Sequence, residues 1–121
     1  MPARLIIDGN NVMGSRPDGW WRDRAAAMRA LVERIGAWAG EDVVVVFDDR
    51  PPPGLLVPPR VDVRFAERGG PNAADDVIAT LVAGDPEPAT LRVVTSDREL
   101  ARRVREHGAE VLGARSFRDR L

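Results

Sequence analysis

Three apolar runs in this chain stop on an aspartate: Leu5-Ile6-Ile7-Asp8, Val43-Val44-Val45-Val46-Phe47-Asp48 and Val93-Val94-Thr95-Ser96-Asp97. Unbroken runs of β-forming apolar residues predict strands buried on both faces, as parallel strands are. Each such strand delivers its carboxylate to the carboxyl end of the sheet. In open α/β sheets that end binds ligands, at the point where strand order reverses. Three anions gathered at one edge repel one another, and a divalent cation relieves the repulsion. The pattern therefore predicts a metal site on an α/β fold.

The remaining elements agree with that class. The first strand covers Arg4 to Asp8, followed by a loop through Gly14, Pro17 and Gly19 with Trp20 and Trp21 exposed. Met28, Leu31, Val32, Ile35 and Trp38 recur at helical spacing and predict an amphipathic helix from Arg22 to Ala39, closed by Gly40. The second strand runs from Asp42 to Asp48. A stiff proline-rich loop (Pro51-Pro52-Pro53 to Pro58-Pro59) precedes Val61-Asp62-Val63-Arg64-Phe65, whose alternation marks a strand exposed on one side. After Gly69-Gly70-Pro71 come a helix from Asn72 to Ala83, a strand from Leu91 to Thr95, and a helix from Asp97 to His107 stopped by Gly108. A short strand from Ala109 to Leu112 and a terminal helical turn within Ser116 to Leu121 complete the chain. This string predicts a three-layer α/β sandwich, Rossmann-like, with a mainly parallel five-stranded sheet. The three apolar strands belong at its centre and the alternating one at its edge. The order 3-2-1-4-5 satisfies both and puts Asp8, Asp48 and Asp97 on adjacent strands.

Composition narrows the chemistry. The 121 residues predict one domain, residues 1–121, with no membrane-spanning run and no signal-peptide pattern, hence a soluble cytoplasmic protein without a membrane partner. Cysteine is absent, which removes disulfides, thiolate nucleophiles and thiolate zinc sites. All 18 basic residues are arginine, so there is no phosphate-binding lysine, Schiff base or lysine base. His107 is the only histidine, and its position at a helix end favours a dipole contact. Carboxylate, hydroxyl, amide and guanidinium remain, a set suited to Mg²⁺ or Mn²⁺ with oxygen ligands and no organic cofactor. The net charge of −1 gives no global field for nucleic acid, although seven arginines and four acids follow from Arg98 onward.

Each acid taken alone has a structural explanation. Asp8-Gly9 fits a turn, and Asp48-Asp49 fits loop solvation. Ser96 to Glu99 fits a capping box with Ser96 as the N-cap. Asn72 fits an N-cap with Asp75 in the first helical turn. Turn and cap residues have no reason to gather on three neighbouring strands, so the joint pattern favours a site. Helical geometry separates Asp75 from Asp76: Ala74, Val77, Ile78, Leu81 and Val82 define the buried stripe, which Asp75 flanks and Asp76 opposes. Asp75 becomes the fourth candidate ligand. Asn10 and Asn11 follow the first aspartate and offer amides to a carboxylate or a substrate phosphate. Thr95 and Ser96 fit either of two roles, holding Asp97 or simply capping, and Arg50, Arg68, Arg98 and Arg102 are within reach of phosphates.

Ile7-Asp8-Gly9-Asn10-Asn11-Val12, Val46-Phe47-Asp48, Ala74-Asp75-Asp76-Val77-Ile78 and Val94-Thr95-Ser96-Asp97 resemble, in order and spacing, the motifs of NYN domains in the PIN-like nuclease superfamily. The ending from Gly108-Ala109 to Ser116-Phe117 is most similar to the YacP branch. The resemblance spans nearly the whole chain. It implies a PIN-like fold and a metal-dependent endoribonuclease using Mg²⁺ or Mn²⁺. Asp8, Asp48, Asp75 and Asp97 would form the acidic metal-binding set, with Asn11 in support. By their positions near that set, Asn10, Ser96, Arg50 and Arg98 are the candidates to touch the substrate. The resemblance also implies single-stranded RNA as substrate and, from relatives in that branch, messenger RNA at the ribosome. Two other functions fit parts of the pattern. A binding module of the same fold would hold RNA or the ribosome without turnover. An aspartyl-nucleophile phosphatase would want an acid at Asn10 and a phosphate-binding lysine, and has neither.

Overall fold

The computed structural model of the chain describes residues 4–39, 42–66 and 72–121. Five strands, β1 (Arg4–Asp8), β2 (Val43–Phe47), β3 (Val61–Phe65), β4 (Leu91–Val94) and β5 (Glu110–Leu112), form one sheet in the order β3-β2-β1-β4-β5. Every pairing is parallel. Among the described residues five α-helices accompany it: α1 (Gly9–Met13), α2 (Arg24–Trp38), α3 (Ala73–Ala83), α4 (Arg98–Glu106) and α5 (Ala114–Arg118). The predicted strand order and class hold. No described helix is long and apolar enough to cross a membrane.

Consecutive residues of a strand point to opposite faces, which explains the unbroken apolar runs. Ile7, Val45, Phe47 and Val94 face one core with Val12, Met28, Leu31, Val32, Ile35 and Phe117 of α1, α2 and α5. Their neighbours Ile6, Val46 and Val93 face the other, with Ala74, Ile78, Val82, Leu100 and Val104 of α3 and α4. β3 alternates as expected: Val61 is buried, whereas Asp62 and Arg64 are exposed.

Close approaches fix two connections. A Cβ at Gly9 would stand 2.5 Å from the Phe47 ring, so β1 can turn into α1 beside β2 only with glycine there. A Cβ at Gly36 would stand 2.3 Å from Pro58, which sets the proline-rich loop against α2.

Several boundaries differ from expectation. Gly9–Met13 is helical where a loop was expected, with Val12 and Met13 buried in the core. The second helix begins later, at Arg24, because Trp20–Arg22 forms a 3₁₀ turn and the Asp23 carboxylate accepts from Ala26 N at 3.0 Å as the N-cap. α5 starts at Ala114 rather than Ser116. His107 is the C-terminal residue of α4's cap, as its position implied. Gly40, Arg68 and Gly69-Gly70-Pro71 lie outside the described residues.

Candidate active site

β1, β2 and β4 end side by side, and the register brings Asp8 opposite Val46, two residues before Asp48. Asp8 is almost fully buried, at 4 % exposure. Its Oδ2 accepts from Thr95 Oγ1 at 2.9 Å, and the same hydroxyl oxygen accepts from Asp97 N at 3.1 Å. Thr95 therefore couples the aspartates of β1 and β4, where the sequence had linked it only to Asp97.

Asp48 and Asp97 are half-buried and each commits one oxygen to a helix start. Asp48 Oδ1 accepts from Ala74 N at 2.7 Å, capping α3 from another strand, and Asp97 Oδ1 accepts from Leu100 N at 3.0 Å. Both contacts correct the predicted caps. Asn72 sits at the N-cap of α3 in a left-handed conformation (φ 65°) and makes no side-chain cap bond. Asp97, not Ser96, caps α4, and Glu99 turns to Arg102 instead of closing a capping box. Ser96 is occupied elsewhere: its N donates to Asn11 Oδ1 at 2.7 Å, and its Oγ accepts from Ala114 N at 2.8 Å.

The two asparagines after Asp8 hold the neighbouring loops. Asn10 Oδ1 accepts from Asp48 N at 2.7 Å, and its Nδ2 donates to Asp49 Oδ2 at 3.2 Å. Asn11 makes the equivalent tie toward β4 through Ser96. α1 thus spans both sides of Asp8 and sets the positions of Asp48 and Asp97. Asp49, which as part of Asp48-Asp49 fitted loop solvation in the sequence, also receives Arg24 Nη2 at 2.6 Å.

Asp75, in the first turn of α3, is half-buried; Asp76 is exposed and pairs with Arg103 at 3.0 Å. Burial chiefly, then the Asp75 and Asp48 charges, push Asp8 up to about 7 against the hydrogen bonds from Thr95 and Asn11 N–H. Burial, then Asp97 and Asp48, push Asp75 up to about 6, with Arg103 pulling the other way. The four carboxylates therefore share one electrostatic neighbourhood. Arg50 and Arg98 are exposed and form no ion pair among the described residues. Arg102 is taken by Glu99 and Glu106.

The donor set fits a hard dication. It is all oxygen, and Asp8 and Asp75 are held above the usual carboxylate range by burial and by like charge, which a cation would reverse. As the side chains stand, no group of three or more Asp, Glu or His among the described residues is close enough to hold one ion. The fit is therefore one of chemistry and position, and binding would draw the carboxylates inward.

The parallel 3-2-1-4-5 sheet with helices around it and acids at its carboxyl edge matches the PIN-like α/β fold. The model of the YacP-like NYN domain matches residues 5–121, and the chain belongs to that family. Crystal structures of Rae1 (YacP) from Bacillus subtilis are similar. A tryptophan-to-leucine variant superposes with a TM-score of 0.76 at 27 % identity, covering 98 % of this chain and 74 % of that one. Another Rae1 structure gives 0.75 at 26 % identity, covering 99 % and 74 %. No curated protein matches the chain.

Proposed function

We propose that this chain is a metal-dependent endoribonuclease that hydrolyses phosphodiester bonds of single-stranded RNA. The observation that carries this is the convergence of Asp8, Asp48, Asp75 and Asp97, with Asp8 and Asp75 held above their ordinary range by burial and then by neighbouring carboxylates. Family membership supports the nuclease class. These four residues would hold one or two Mg²⁺ or Mn²⁺ ions. When bound, such ions supply an activated water near neutral pH and stabilise the leaving oxygen, so no histidine base is needed.

The chain's own residues orient the reaction. Thr95 holds the Asp8 carboxylate while its oxygen steadies Asp97 N. Asn11 acts as a positioning residue through Ser96 N. Arg50 and Arg98, lacking acidic partners among the described residues, are suited to the substrate's phosphates. The second N–H of the Asn10 amide and the Ser96 hydroxyl proton are further polar groups for substrate. Water's oxygen forms a new bond to phosphorus as the bond to a ribose oxygen breaks, and the water proton leaves with that oxygen or with solvent.

With a net charge of −1, unaided phosphate binding is weak. That favours a presented substrate, messenger RNA on the cytoplasmic ribosome. The alternative is RNA or ribosome binding without turnover, and the absence of a ready group of three carboxylates among the described residues favours it. Cleavage assays separate the two. Cleavage with Mn²⁺ or Mg²⁺ that stops with chelator and in Asp8→Asn and Asp97→Asn supports the nuclease. Cleavage surviving all three excludes the mechanism. RNA bound but never cut leaves the binding module.

A further inference from the structure

Trp20 and Trp21 lie in the connection between α1 and α2, and they differ in burial. Trp20 packs against the α1–α2 cluster, whereas Trp21 is 51 % exposed. The rings meet edge to face, with centroids 6.0 Å apart and planes at 89°. Each carries a guanidinium: Arg24 lies 5.5 Å from the Trp20 centroid and Arg22 lies 5.8 Å from that of Trp21. A single exposed apolar residue is ordinary, but an open indole beside a second ring and two arginines is the makeup of a nucleobase stacking surface.

Its attachment matters as much as its composition. Arg24, over Trp20, is ion-paired with Asp49 at 2.6 Å. Asp49 also receives Asn10, whose carbonyl accepts from Asp48 N. A short series of polar contacts thus joins the tryptophan pair to the carboxylate edge and fixes one relative to the other.

We propose that Trp21, with Arg22, stacks an unpaired nucleobase of the RNA strand whose backbone reaches the carboxylates. The proposal rests on RNA being the ligand of that site. With a net charge of −1 the phosphate contribution is small, so affinity must come from elsewhere, and stacking serves any base sequence. Arg22 has no carboxylate partner among the described residues, so it is available to cover the base or meet the adjoining phosphate. Bases in a duplex are stacked on each other and closed to the indole, so the platform selects single strands. Leu56, exposed at 85 % in the proline-rich loop and without a ring or cation contact among the described residues, serves as a control.

The test is binding of an unstructured RNA octamer in chelator, where no turnover occurs, followed by tryptophan fluorescence and anisotropy. An abasic octamer and a duplex of equal length are the comparisons. Trp21→Ala is expected to weaken octamer binding about 5- to 150-fold. Trp21→Phe, which also guards against a misfolded alanine variant, retains most of it. Leu56→Ala changes nothing, and the abasic strand binds weakly whether or not Trp21 is present. Unchanged octamer affinity in Trp21→Ala, or an equal loss for octamer and abasic strand, overturns the proposal. So does a wild-type protein that ignores RNA, which leaves Trp21 to a protein partner. Trp21-dependent binding without cleavage in Mn²⁺ keeps the platform and removes the nuclease. Cleavage with a KM indifferent to Trp21→Ala does the reverse.

Discussion

The two ends of β1 treat charge in opposite ways. At its amino end Arg4 forms a bidentate pair with Asp85, both bonds at 2.8 Å, and adds Thr90 and the Glu87 carbonyl. The Asp85 carboxyl is accordingly held below its usual range by that guanidinium. Four residues later, at the carboxyl end, buried Asp8 faces Asp48 and Asp75 and is pushed up to about 7, chiefly by burial. One edge answers Asp85 with a cation from the chain. The other collects acids, and Arg103, which pulls against the Asp75 shift, pairs with Asp76 outside the cluster. The fold is thus complete at one edge and chemically unfinished at the other. A groove of about 500 Å³ opens on the amino side, lined by Arg4, Val44, Arg64, Leu81 and Asp85. There Arg4 is paired with Asp85 and Arg64 with Asp62.

The largest expected contrast is catalytic. Asp8→Asn and Asp97→Asn should each lower kcat/KM for RNA by about 100- to 1,000-fold. Asp85→Asn, at the other end of the same sheet, should leave it nearly unchanged; equal losses would erase the distinction between the edges.

Stability should respond with opposite signs. In chelator at pH 8, Asp8→Asn removes a buried charge held among like charges, and should stabilise the fold by about 1–3 kcal/mol in urea unfolding. Asp85→Asn should slightly destabilise it, since it leaves Arg4 without its partner. A destabilised Asp8→Asn protein would mean that the carboxylate is already compensated.

The pH dependence follows from the same shifts. Asp8 and Asp75 hold their protons more tightly folded than unfolded, so the native state binds more protons across the window from their ordinary value of 3.8 up to about 7 and about 6. Their contribution is fully present below about pH 4 and is lost as pH rises through the folded values. The Tm of the chelated protein should therefore fall between pH 5 and pH 8, and Mn²⁺ should raise it more at pH 8 than at pH 5. A flat profile would contradict the shared charge. The smallest effect is ionic strength at the amino edge: salt should weaken the exposed Arg4–Asp85 pair and barely move the Tm.

Much of this was legible in sequence because burial and strand order are linked. Unbroken apolar runs can only be central, and alternation in Val61–Phe65 can only be an edge, so 3-2-1-4-5 followed. The 100° helical step was enough to separate Asp75 from Asp76. What escaped was decided by partners distant in sequence. α1 forms from Gly9-Asn10-Asn11, poor helix residues, because Val12 and Met13 are drawn into the core and both asparagine side chains find loop partners. α3 is capped by Asp48, 26 residues away, and Ala114 N by Ser96, 18 away. Local cap rules see Asn72 and have no means of seeing those contacts.

The claim that the carboxyl edge is an anionic cup awaiting a dication is tested most directly by crystals grown or soaked in Mn²⁺, mapped by anomalous scattering. One or two peaks between Asp8, Asp48, Asp75 and Asp97, with the side chains drawn together, is the predicted result. Ordered carboxylates with no peak among them, at Mn²⁺ concentrations that label other sites, would contradict it.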